Sequence, residues 1–346
     1  MILLKHELLK QEMQKAFSDI GLCEDSRFHA IESMVQTSLR GVDSHGINLF
    51  PHYCRAIKAG RINTNPNLQV QKSSSSVGIL DSQDAIGHHA GSVAIQEAIV
   101  MAKEHGLAAV SARNSSHFGA AAYFALQAAD EGMIGMSFTN ADALVKATGS
   151  KKSFFGTNPI CITTPLLNES AFCLDMATSL VSWNKVKNYR REDEAIPEHW
   201  AFDGEGKAVT NPHDARSLAP AGDYKGFGLG MMVDIFCAVL ADGLISKDIL
   251  PMFTSPIEAQ RKVGHFFMVI DPEKFLPISN FKEKMQDMVD RIREMPRTDE
   301  NIPVMVPGDP EKKSMEHRLV DGIPILEQVF VEYLEVSASF KNAVIS

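Results

Sequence analysis

No long apolar run, no excess of basic residues and no repeated cysteine spacing mark this sequence of 346 residues. The longest apolar stretch, GLGMMVDIFCAVLADGLI near 228–245, carries Asp234 in its middle and is short for a bilayer crossing, so a buried helix is expected there. The opening MILLKHELLKQEMQK has no basic segment followed by an apolar core and a small-residue cleavage site, and a cytoplasmic protein without membrane attachment is expected. Lys and Arg total 34 against 43 Asp and Glu, which removes electrostatic support for a nucleic-acid partner. The five cysteines, at 23, 54, 161, 173 and 237, form no CxxC pair and read as buried free thiols of a reducing compartment.

Several catalytic signatures are absent as well. There is no GxSxG elbow, no GxxxxGK[ST] phosphate loop and no HExxH zinc helix. His88 and His89 are adjacent, but no compact carboxylate or cysteine spacing joins them, so no metal site is expected. No GxGxxG opens a helix after a strand, and GFGLG at 226–230 lacks the third glycine. That argues against a Rossmann fingerprint without removing dinucleotides, because backbone amides and helix starts also hold pyrophosphate.

What is present is an α/β pattern. Apolar spacing predicts helices over Leu4–Ile20 and Glu24–Leu39, closed by Gly21 and Gly41. Further helices are expected over Ser92–His105, 118–130, Lys225–Ala241, Phe281–Met295 and Ile325–Leu334. Short strands are expected at Leu107–Ser111, Met133–Phe138, Pro159–Pro165, Phe172–Met176 and 265–270. Arg190–Ala221 reads as an exposed, turn-rich excursion, and 296–313 as a turn-rich link. Three regions follow: helical residues 1–75, an α/β region over 76–280, and a C-terminal region 281–346 that packs back on the first helices.

The chemically suggestive residues cluster where short strands end. In ARNSSHFGAAAYF, Ala112–Phe124, His117 sits between a strand and a helix, where an imidazole can exchange a proton with a substrate oxygen. The competing reading is a capping turn in which Ser115 or Ser116 caps and His117 merely packs. In GVDSHGINLFPHY, Gly41–Tyr53, Ser44, His45 and Tyr53 read as a polar pocket wall or as an ordinary turn capped by Asp43 or Ser44. Gly156, Thr157 and Asn158 can offer backbone amides to a ligand. Asp175 can bind a ribose hydroxyl or cap a helix beginning at Ala177–Ser179. Lys225 can meet an anion at a helix start or be a solvated turn lysine.

Taken together, DSHG at 43–46, SSHFGAAAYF at 115–124, FGTNP at 155–159, LDMATS at 174–179, YKGFGLG at 224–230 and VPGD at 306–309 resemble the type-2 malate/L-lactate dehydrogenase family. That family of NAD(P)-dependent oxidoreductases includes ureidoglycolate, sulfolactate and diketogulonate enzymes and certain cyclic-imine reductases. The resemblance implies a homodimer, a mixed sheet curved into a half-barrel and flanked by helices, a non-Rossmann cofactor site, and a discontinuous helical domain from both chain ends. It matches His117 to the catalytic acid/base, and Ser44, His45 and Tyr53 to the substrate cleft. Asn140, Asp175, Met176, Ala177, Lys225, Pro307, Gly308 and Asp309 match the cofactor-contact region, with Gly156, Thr157 and Asn158 as its supporting loop.

The implied reaction moves a hydride between NAD or NADP, NAD being favoured, and a small 2-hydroxy or 2-oxo acid, malate and oxaloacetate first. Ureidoglycolate, lactate or a cyclic imine are the alternatives within the family, and an inactive metabolite-binding or assembly protein is the alternative outside it. One position departs from the family pattern: Leu49 stands where an arginine often grips the substrate carboxylate. Arg113 or Lys146 are candidates to replace that cation.

Overall fold

In the computed structural model, which describes residues 1–345, the run HFFMVI belongs to the strand Val263–Ile270 at the middle of a seven-stranded sheet. The strand order across the sheet is Val70–Lys72, Val77–Asp81, Leu107–Ser115, Val263–Ile270, Ile134–Thr139, Ile160–Thr164, Phe172–Met176. Only Val77–Asp81 and Leu107–Ser115 run parallel, joined by the crossover helix Gly87–His105. The other neighbours are antiparallel, so the architecture is a mixed α/β sheet.

Both faces of that sheet are covered, which is why its central strand reads as a continuous apolar run instead of an alternating one. On one face Phe267, Val269 and Val110 of the sheet join Ala94, Ile95, Phe124 and Ala125 from the helices Gly87–His105 and Ala121–Asp130. On the other, Phe266, Phe138 and Ile160 meet Val233 and Cys237 from the helix Tyr224–Asp234 and the wider turn Ile235–Val239 that continues it. Each such side chain withdrawn from water stabilises the fold by roughly 1.5–3 kcal/mol.

The chain ends meet at a second centre. Ile2–Leu4 pairs antiparallel with Ile323–Ile325, and the core beneath holds Leu9, Phe17, Phe50, Tyr333 and Phe340. Helices His6–Asp19, Glu24–Leu39 and Glu327–Val336 thus share one apolar interior with the short helix Phe50–Lys58. The helix Ile278–Arg293 lies elsewhere, with Val289 and Ile292 against Leu166 and Phe172 beside the sheet edge.

Arg190–Ala221 is less of a loose excursion than its composition suggests. The helix Trp183–Glu192, capped by Ser182, and short strands of a five-stranded sheet enclose a small core of Val186, Ile196, Ala201, Ala215 and Leu218. The Asp-Gly turn is there, with Asp203 bridging the hairpin of Ala201–Phe202 and Ala208–Val209. No helix among the described residues is long and apolar enough to cross a membrane.

Candidate active site

His117 follows the strand Leu107–Ser115 and precedes the helix Ala121–Asp130, so it stands where the sheet hands over to a helix. Its Nδ1 lies 2.7 Å from the Tyr53 hydroxyl and accepts the Gly119 N–H at 3.3 Å. An N–H can only donate, so in this arrangement Nδ1 is the acceptor and Nε2 carries the proton of the neutral ring. The Tyr53 hydroxyl serves either protonation state, since it can donate to a bare Nδ1 or accept from a protonated one. Burial raises the Tyr53 phenol far above its ordinary value, which keeps that hydroxyl neutral.

His45 completes the cluster. Its ring stacks at 5.7 Å from that of His117, and its Nδ1 is 2.9 Å from Ser44 Oγ. Burial, followed by the neighbouring His45 and Arg261, lowers the His117 pKa well below the ordinary imidazole value. The isolated ring is therefore neutral near pH 7, a base awaiting a proton. Both histidines remain partly accessible, whereas Tyr53 is buried.

The capping alternatives resolve in an unexpected direction. Ser116 does cap a helix, but the one that precedes it in the chain: its Oγ accepts from Gly87 N–H at 2.9 Å and donates to the Ala85 carbonyl at 2.9 Å. Ser115 turns to His265 Nε2 at 2.8 Å. Asp43 caps nothing and instead takes Arg318 through two contacts of 2.6 and 2.9 Å. No helix begins at Ala177–Ser179; Asp175 Oδ2 accepts the Ala122 N–H at 3.0 Å, at the start of the helix that follows His117.

Asp175 thereby links the histidine cluster to a platform of loops. Thr178 N–H donates to the Thr157 carbonyl at 2.9 Å, and Ala221 N–H donates to the Thr178 carbonyl at 2.9 Å. Cys173 N–H reaches the Pro307 carbonyl at 3.3 Å. The segments 156–158, 173–178, 221–226 and 307–309 are thus sewn together, although they are scattered along the chain. On this platform Asp175, Met176 and Lys225 are exposed, Thr157 and Ala177 are half-buried, and Gly308 sits at φ +100°, a backbone setting natural to glycine.

Three polar residues expected at the cofactor are occupied by the protein itself. Asn140 donates to Asp234 Oδ1 at 3.0 Å and to the Leu244 carbonyl at 2.9 Å, and accepts from Gly264 N–H at 2.8 Å. Asn158 donates to the Gly230 carbonyl at 2.9 Å and accepts from Ala141 N–H and Ser246 Oγ, both at 3.2 Å. Asp309 is held by Arg293 Nη2 at 2.6 Å and by Val306 N–H at 3.0 Å. Their side chains brace the platform and leave its surface to backbone groups, Asp175 and Lys225.

The cations near His117 are Arg61 and Arg261, which line the recess with Tyr53 and Ser116. Neither carries a local sequence signal; each sits in an irregular stretch far from His117 in the chain. Arg113 instead donates to the Ala241 carbonyl at 3.0 Å, and Lys146 to the Ser150 carbonyl at 2.9 Å. Leu49 is half-buried against the core shared by the chain ends.

The chain is similar to known proteins over almost its whole length. The profile of the family described as malate/L-lactate dehydrogenase matches residues 4–334. The chain belongs to that family. It is 37% identical over 333 residues to a malate dehydrogenase of Pyrococcus horikoshii, covering 93% of this chain and 91% of the relative. It is 31% identical to an L-sulfolactate dehydrogenase of Methanocaldococcus jannaschii over 97% of this chain and 96% of that one. A solved malate dehydrogenase from P. horikoshii superposes with a TM-score of 0.89 at 33% identity, covering 98% and 95% of the two chains. The solved M. jannaschii sulfolactate dehydrogenase gives 0.91 at 30% identity, covering 98% of each. As a dehydrogenase of the malate/L-lactate family, the protein works with a nicotinamide cofactor.

The histidines also make this dehydrogenase sensitive to acid. His88 and His265 are fully buried, and burial pushes both down to about 3 from 6.5. An unfolded chain binds protons on these rings below 6.5 and the folded one does not, so stability falls as pH drops through the unfolded value. At pH 5 each ring is expected to cost up to about 2 kcal/mol relative to pH 7.5. Thermal melts should show a steep loss of Tm over that range, reduced when His88 is replaced by glutamine.

Proposed function

We propose that the protein interconverts a small 2-hydroxy acid and its 2-oxo acid, malate and oxaloacetate first, using NAD in preference to NADP. The observation that carries this reading is the neutral His117, tied to Tyr53 and His45 beside a recess that holds the guanidinium groups of Arg61 and Arg261. The cofactor, when bound, supplies or accepts the hydride at its nicotinamide ring. The residues of the platform fit such a group: the free oxygen of Asp175 suits ribose hydroxyls and disfavours a 2′-phosphate, and exposed Lys225 at a helix start suits a pyrophosphate.

His117 then removes the hydroxyl proton in oxidation and returns it to the oxygen in reduction. Oxidation uses the ring's other tautomer, in which Nδ1–H donates to the Tyr53 oxygen and leaves Nε2 bare; Nε2 then takes the substrate proton as base and returns it from the imidazolium in reduction. His45, aligned by Ser44, favours the oxygen on which charge develops.

The lack of a glycine-rich fingerprint and the single parallel strand pair of the seven-stranded sheet support a half-barrel with a non-Rossmann cofactor site. Met231, Ile235 and Val239 expose 50%, 41% and 63% of their surface on successive turns of one helix, which supports burial of that face in a homodimer. Five free cysteines support residence in the reducing cytoplasm.

The test follows absorbance of NADH and NADPH against oxaloacetate, pyruvate, sulfopyruvate, other 2-oxo acids and cyclic imines, with solution mass measured alongside. Preferred NADH-dependent reduction of oxaloacetate is expected. Turnover of a cyclic imine alone would move the assignment to imine reduction. Cofactor binding without turnover across the panel would make it a binding protein.

A further inference from the structure

The recess beside His117 contains a charged group that proton transfer does not use. Arg261 is only 4% exposed, yet it lines the same recess as Tyr53, Ser116 and His117. Two of its nitrogens are engaged: Nε donates to the Leu250 carbonyl at 2.8 Å, and Nη2 donates to Asp142 Oδ1 at 2.5 Å. Nη1 has no hydrogen-bond partner among the described residues. The planar fork is therefore fixed on one side and free on another, which suits recognition of a planar anion.

The neighbouring Arg61 keeps no free Nη; its one unpartnered nitrogen is the buried Nε. Its Nη1 donates to the Met252 carbonyl at 3.1 Å, and its Nη2 to the Pro256 carbonyl at 2.8 Å and Ser255 Oγ at 3.4 Å. Arg61 thus anchors the segment 252–256, the wall of the recess, while Arg261 keeps a donor for something else. Arg261 is paired with Asp142, and Arg61 has the carboxylate of Glu258 in its neighbourhood; what Arg261 lacks is a partner at Nη1.

We propose that Arg261 binds the substrate carboxylate through Nη1, with Asp142 fixing the guanidinium, and so selects acids over neutral carbonyl compounds at the His117 site. Ala56, Ile62 and Met252 also line this recess. The inference rests on the dehydrogenase reading for its choice of ligand.

The experiment compares pyruvate with methyl pyruvate, and measures oxamate binding by calorimetry in the presence of NADH, for the unaltered enzyme and three variants. Arg261→Lys keeps the charge beside Asp142 and loses the planar fork. Arg261→Gln loses the charge, and Arg261→Gln with Asp142→Asn removes both charges, so that no buried carboxylate is left alone to unfold the protein. Loss of the charged partner is expected to lower kcat/KM for pyruvate by about 100-fold or more in the neutral variants. The value for the methyl ester should change by less than about tenfold. Arg261→Lys should fall between, and NADH affinity should hold.

Equal losses for acid and ester, or none, would overturn the assignment of Arg261, because a merely structural arginine does not distinguish them. If the unaltered enzyme reduces no 2-oxo acid but binds oxamate, and the variants do not, the dehydrogenase reading fails and the anion site stands. If the variants reduce pyruvate and bind oxamate as before, the anion site fails and the dehydrogenase reading stands.

Discussion

Replacing His117 with alanine is expected to lower turnover by about 10²–10⁴-fold, the usual contribution of a positioned acid/base, while leaving NADH affinity within about twofold. The separation of the two effects follows from where the residue sits. The His117 ring touches Tyr53 and His45 and lies after the last strand residue Ser115, whereas the platform is built from the segments 156–158, 173–178, 221–226 and 307–309. Asp175 on Ala122 N–H links the two, a backbone contact that survives loss of the imidazole.

The same variant separates two pH effects in the native enzyme. A His117 pKa held below its ordinary value keeps the base form available for oxidation of a hydroxy acid from neutral pH upward. Reduction needs the protonated form, so its kcat/KM should fall as pH rises through the folded-state pKa, and the oxidation profile should rise over that window. Both limbs should vanish in His117→Ala. A variant with wild-type turnover, or one that keeps both limbs, would remove the acid/base assignment. Fluorescence titration with NADH supplies the binding arm of the measurement.

Strongly periodic elements could be read directly from the sequence. Glu24–Leu39 and Phe172–Met176 have the bounds their patterns predict, because each presents an apolar face to a core of the matching geometry. The helix Asp309–Asp321 has no such pattern. It buries none of its residues and is held by charge, through Arg318 on Asp43 and through Asp309 on Arg293, contacts between segments that no local window contains. Phe50–Lys58 carries Pro51 in its first turn, where a proline costs little.

The site divides the same way. His117, Ser44, His45 and Tyr53 sit in short motifs and do converge, since the motifs lie beside strand ends and helix starts that the fold brings together. Arg61 and Arg261 sit in irregular segments with no period and no neighbouring signature, so their meeting at the recess depends on tertiary packing alone. Asn140 and Asn158 show the converse. The family resemblance implies Asn140 at the cofactor and the sequence offers Asn158 to a ligand, and the folded chain engages their amides with Asp234, Leu244 and Gly230.

Gly87→Ala should damage stability and catalysis together. Gly87 opens the helix Gly87–His105 directly against the segment that carries His117, and it is buried. A methyl group added there would lie 2.3 Å from the Ser116 carbonyl oxygen, 2.6 Å from the His117 carbonyl oxygen and 2.7 Å from the His117 carbonyl carbon. These are backbone atoms with no rotamer to escape into, so either the helix start or the His117 segment must shift. A shift also threatens the Gly87 N–H bond to Ser116 Oγ, the cap of that helix.

Overpacking of this kind costs about 1–3 kcal/mol, and loss of a cap about another 1 kcal/mol. A displacement of even about 1 Å at an acid/base can lower turnover by about 10²-fold. The matched control is Gly204→Ala, where nothing lies within 4 Å of the added carbon, and there both Tm and kcat should be unchanged. Chemical denaturation and steady-state kinetics on the pair read the two effects separately. Native stability and turnover in Gly87→Ala would mean that the Ser116–His117 segment yields without consequence, and that the alignment of His117 with Tyr53 does not depend on the helix packed behind it.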